Sequence, residues 1–110
     1  MKKLLVALIV STPVLAFAAN WDNVPLVDEM CATKVKDNPD KHTTSCLLKC
    51  ANSGYGIQTS DGKFVKLDEA GNKMALAELK KTQKKDHIRV NVSGEEKGGK
   101  IQVASLKLVD

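Results

Sequence analysis

Aromatic residues are scarce in this chain: one Trp, one Tyr and two Phe make up 4% of 110 residues. Proteins that hold single-stranded nucleic acid stack its bases on aromatic rings set in a basic groove. Beyond residue 18 the only rings are Trp21, Tyr55 and Phe64, so nucleic acid is not an expected partner. Cysteine is limited to Cys31, Cys46 and Cys50, with no C-x-x-C and no C-x-x-C-H. That excludes the usual signatures of a thioredoxin-like dithiol and of a covalently attached c-type haem. No paired carboxylates, Ser/His/Asp set or phosphate-cradling glycine loop stands out, so hydrolase and kinase chemistry lack their residues. The expectation is a protein that is not an enzyme. Internal repeats and low-complexity segments are also lacking.

The first residues read as a segment that is removed. Met1-Lys2-Lys3 is a positive start, Leu4 to Val10 an apolar run, and Ala16-Phe17-Ala18 a small-x-small end, the pattern of a secretory signal peptide cut after Ala18. Ser11, Thr12 and Pro13 interrupt the apolar run, leaving it too short to span a bilayer. No lipid-attachment cysteine lies near the cut. Residues 19–110 are then a single domain, exported and most naturally periplasmic, with no transmembrane anchor. Cleavage removes Lys2 and Lys3 but no acid, so 17 basic against 13 acidic residues becomes 15 against 13, and the net charge falls from +4 to +2. The lysines are spread along the chain, which demands no polyanionic partner.

Val24, Leu26 and Val27 give a first strand within Trp21 to Met30, and Pro25 places it at a sheet edge or strand start. After the polar stretch KVKDNPDK, Asp40 is an expected N-cap for a short helix over 41–51, stopped by Asn52-Ser53-Gly54. Tyr55, Ile57 and Thr59 alternate in a second strand, and Phe64 to Leu67 form a third. Asp61-Gly62 between them predicts a two-residue type I′ turn. Asn72 is the expected cap of a second helix over 73–82, with Ala75, Leu76 and Leu79 as its buried stripe. Lys80 and Lys81 sit at its negative end, and with Lys84 and Lys85 they read as a solvated helix end. Ile88, Val90 and Val92 alternate, Ser93 to Gly99 reads as a loop, and Ile101 and Val103 resume the alternation. The apolar phase slips by one residue between Val103 and Leu106, which predicts a β-bulge. His87 falls on the polar phase, and Tyr55 reads as a packed core ring.

The predicted architecture is mainly β with two short helices: five strands, one helix between strands 3 and 4, and an extra short helix between strands 1 and 2. That order is the arrangement of the OB-fold, a small Greek-key barrel, and an open α+β sheet is the competing architecture. From Cys31 to Leu108 the chain resembles a group of small secreted bacterial OB-fold proteins. The likeness is carried by HTTSCLLKC, then SGYG and DGKF. It implies an exported OB-fold and brings no activity with it. The ligands natural to such a barrel are an envelope protein, a peptide, a glycan or a metal ion.

The candidate site is Cys31, His42, Cys46 and Cys50. On a helix the last three lie four residues apart on one face, and Cys31 completes a C-x10-H-x3-C-x3-C set whose donors suit zinc or copper(I). An exported protein also favours a disulfide. Cys46 and Cys50 at i,i+4 stand about 5 to 6 Å apart at Cβ, beyond disulfide reach, so Cys31 is the natural partner of one of them. Closing a loop of about 15 to 20 residues would add about 3 kcal/mol and leave one thiol spare. That spare thiol opens a third reading, a thiol-active protein that exchanges disulfides or senses oxidants, with His42 lowering the pKa of Cys46.

Overall fold

The structure, a computed structural model, describes residues 19–109; the expected signal peptide lies outside the described residues. Five strands close into a barrel in the order β1-β2-β3-β5-β4, which decides between barrel and open sheet. They are β1 (Ala19–Asp28), β2 (Tyr55–Gln58), β3 (Phe64–Leu67), β4 (Arg89–Lys97) and β5 (Lys100–Leu108). Two α-helices accompany them: α1 (Thr44–Lys49) between β1 and β2, and α2 (Glu69–Lys81) between β3 and β4. Short 3-10 turns at Pro39–Lys41 and Ala51–Ser53 flank α1. No helix among the described residues is long and apolar enough to cross a membrane.

Alternation along the strands sends Leu26, Ile57, Val65, Val90, Val92 and Ile101 into one buried core, which Leu47 of α1 and Leu79 of α2 join. β1 is not an edge. Its first part pairs with β4 and its last residues, from Leu26 on, with β2. Pro25 fits there because Leu26 N–H is spent on Ile88 O at 2.9 Å, so by alternation the nitrogen of residue 25 faces the side where β2 pairing has not yet begun. The register of β1 on β4 shifts between Trp21 and Val24, where Asn23 takes φ +51°, a conformation asparagine tolerates better than most residues. The expected slip in β5 is also present: Ser93 pairs with Ser105 but Gly94 with Val103, so Ala104 is the extra residue.

The two hairpins exchange roles relative to the sequence reading. The β2–β3 connection is not a two-residue type I′ turn. Thr59 N bonds Lys63 O at 2.8 Å, Gly62 N bonds Thr59 O at 2.9 Å, and Gly62 alone has positive φ. That is a three-residue loop closed by a glycine bulge, held further by a hydrogen bond from the Thr59 hydroxyl to the Asp61 carboxylate. The tight turn sits instead at Gly98-Gly99, with φ +59° and +79° between the paired residues Lys97 and Lys100. Strand pairing therefore runs through most of the segment expected to be a loop.

Both helix starts also move. α2 begins at Glu69, capped by Asp68, whose Oδ1 accepts from Gly71 N at 2.8 Å. Asn72 is inside the helix and its Oδ1 accepts from Tyr55 N at 2.8 Å, tying α2 to β2. Gly71 permits this close seating, since a Cβ there would come within 2.5 Å of Val103 Cγ2. The buried face of α2 is Gly71, Ala75 and Leu79, with Leu76 half-buried. α1 is shorter than expected and is capped by Thr43, which accepts from Cys46 N at 3.1 Å. Asp40 does not cap it. Its carboxylate takes a two-pronged bond from Arg89, with Nε at 3.0 Å and Nη2 at 2.8 Å.

Candidate functional site

β1 ends in an acid on an apolar phase. Period-2 alternation puts Asp28 on the same face as Leu26, at the end of the barrel, where it is fully buried. A buried carboxylate needs partners, and each oxygen has one. Cys31 N–H donates to Oδ2 at 3.0 Å, and His42 Nε2 stands 2.5 Å from Oδ1. His42 is itself buried. The imidazole reaches inward because its residue lies between the 3-10 turn Pro39–Lys41 and the α1 cap Thr43, in extended backbone, rather than on the helix.

The segment carrying His42 is fastened to the connection between α2 and β4. Thr44 N and Oγ1 bond Lys85 O and Lys84 O at 2.9 and 2.6 Å, and Asp40 O accepts from His87 N at 2.9 Å. Inside, Leu47 plugs the barrel end and its carbonyl accepts from the Tyr55 hydroxyl at 2.7 Å. Burial, then the nearby Asp28 carboxylate, pushes the Tyr55 phenol up to about 12.

Cys31 follows β1 by three residues and Cys50 is the C-cap of α1. Their sulfurs and an Asp28 carboxylate oxygen lie within 4.8 Å of one another. Both thiols are free and half-buried. Burial raises the Cys31 thiol above its ordinary range, and the Asp28 charge and the Cys50 sulfur add to that. A cation placed among these donors would offset the burial, and the lesser repulsion, that keep the proton on Cys31.

The expected set Cys31, His42, Cys46, Cys50 is thus brought together only in part. Cys31 and Cys50 converge, and His42 reaches them through Asp28. Cys46 is exposed on α1 and stays outside. His42, Cys46 and Cys50 do not share one helix face, because α1 spans only Thr44–Lys49. His42 precedes it, and turning Leu47 into the core turns the neighbouring Cys46 and Leu48 outward. Composition and motif spacing do not single out Asp28; its signal in the sequence is a charge on the apolar phase of Val24 and Leu26. His87 is exposed, as expected, and its Nδ1 is 2.8 Å from an Asp86 carboxylate oxygen.

Beside the cluster runs a groove of about 470 Å³, lined among others by Lys36, Gln58, Lys63, Phe64 and Lys66. Phe64 is half-buried there, and Lys66 pairs with Glu29 at 2.9 Å. No protein-family profile, curated protein or solved structure matches this chain.

Proposed function

We propose that the chain is an exported bacterial OB-fold protein that binds rather than catalyses, and that Asp28, Cys31 and Cys50 hold one zinc or copper(I) ion. The observation that carries the reading is the convergence of two thiols and a buried carboxylate within 4.8 Å. Thiolate donors favour these metals over hard cations. The histidine on Asp28 has the place of the outer hydrogen-bonding partner that fixes a ligating carboxylate. Closure of the barrel as β1-β2-β3-β5-β4, with α2 between β3 and β4, supports the OB-fold assignment. The sequence start supports export to the periplasm.

Titration of the reduced mature chain with zinc tests the metal reading. One-to-one binding should be lost in Cys31→Ser and in Cys50→Ser and retained in Cys46→Ser. Equal binding by all three variants would remove the sulfurs from the site.

A second reading, an interaction domain for an envelope peptide or glycan, is favoured by the lysine-lined groove with Phe64 on its wall. Crosslinking in intact cells should then trap one partner with the native chain and lose it with Lys63→Glu and Lys66→Glu. A partner trapped equally by both would place the interaction elsewhere.

A further inference from the structure

The inference drawn here rests on the metal reading and concerns its regulation. We infer that Cys31 and Cys50 form a reversible redox pair, in which an intramolecular disulfide and the bound metal exclude one another. The two sulfurs lie within 4.8 Å, and Cys46 is exposed and outside the cluster, so the cluster offers a single pairing. Both sulfurs are half-buried rather than sealed, which leaves them open to a soluble disulfide.

Neither sulfur is carried on a barrel strand. Cys31 lies within a run of turns from Glu29 to Asp37, with internal bonds such as Val35 N to Cys31 O at 3.1 Å and Asn38 N to Val35 O at 3.0 Å. Cys50 lies just beyond the last residue of α1. The Cys31 and Cys50 side chains can therefore approach without disturbing the barrel. The Asp28–His42 pair keeps its contact in either state, because Asp28 is held by β1 and by Cys31 N–H rather than by a sulfur. The fold around the site thus survives oxidation while the metal loses its two sulfur donors.

The oxidant is a disulfide of the glutathione type or a protein disulfide. One cluster sulfur attacks it, forming a mixed disulfide and releasing one thiol. The second cluster sulfur then attacks the first, the mixed S–S bond breaks, and the second thiol leaves. Two metal-bound thiolates lose two electrons to the oxidant, whose halves take two protons from water and leave as two thiols, and the metal ion departs.

The experiment uses the full mature chain carrying Cys46→Ser, loaded with zinc and treated with glutathione disulfide. Intact mass under denaturing conditions and released zinc are followed together. The expected result is a chain two hydrogens lighter, with one zinc released per disulfide formed, and full reloading after reduction. A disulfide that forms with zinc retained overturns the inference, as does zinc release with only a persistent glutathione adduct, or no oxidation at any excess of oxidant. Should the reduced chain fail to take up zinc at the outset, the metal reading itself is overturned, and that outcome is visible before any oxidant is added.

Discussion

Among the described residues, Asp28 and His42 are the buried charged or polar side chains, and because they contact one another each is left stranded if the other is removed. His42→Ala should cost about 1 to 3 kcal/mol for the carboxylate left without its partner. It should also weaken zinc binding by roughly 10- to 100-fold through loss of the outer hydrogen bond. Cys46→Ser, at an exposed position, should stay within about 0.5 kcal/mol of the native chain. Urea unfolding and zinc titration of the two variants check this. Tyr55 makes a prediction in pH. Its phenol is about 10 when unfolded and is raised to about 12 in the folded protein. The folded state therefore holds the proton more tightly, so its contribution is complete below pH 10 and declines as pH rises toward 12. Unfolding midpoints measured across that range should fall for the native chain and fall less for Tyr55→Phe. At this scale the sequence was partly legible. Cys31, Cys50 and His42 stand out by type alone, whereas Asp28 looks like one of 13 acids until its strand phase is considered.

Among the elements, α2 separates local capping from tertiary bonding. Asp68 caps the helix and also accepts from Val103 N at 3.3 Å, while Asn72 accepts from Tyr55 N. Asp68→Ala and Asn72→Ala should each cost about 1 kcal/mol, the ordinary scale of a lost cap or hydrogen bond. Helix content read by circular dichroism should fray at its start only in Asp68→Ala. The Asp40–Arg89 fork joins the α1 segment to β4, and the Arg89 hydrogen bond holds the Asp40 carboxyl below its usual range. A depressed acid stabilises the fold above its unfolded value, about 3.9, and that contribution is lost as pH falls through the lower folded value. Acid unfolding of Asp40→Asn should accordingly show a shallower dependence below pH 4. Strand positions and the β5 bulge were legible because apolar alternation is a property of the chain itself. The turn types and helix starts were not. Asp61-Gly62 is a strong turn signal and Asn72 a natural cap, yet cross-strand register set the first turn, and a bond to β2 took the asparagine.

For the whole molecule, a metal ion would act as a fastener between Cys31, just after β1, and Cys50, just after α1, two residues 19 positions apart. A ligand that binds only the folded chain adds about 2.7 kcal/mol when present at 100 times its dissociation constant. The melting temperature should therefore rise with zinc and fall back on adding a chelator, with Cys50→Ser insensitive to both. The five-stranded architecture was legible from element order. The way the segment from Asp28 to Tyr55 folds back over the barrel was not, since it depends on contacts such as Thr44 to Lys84 and Asp40 to Arg89 between residues 40 and 49 positions apart.

The most direct test of the metal site is the intact mass of the reduced mature chain after incubation with one equivalent of zinc or copper(I). It would be recorded natively, then after denaturation and alkylation. The account predicts a native mass heavier by one metal ion, lost on denaturation, with all three thiols then alkylated. A chain that stays metal-free in the native spectrum, with all three thiols available, would contradict it.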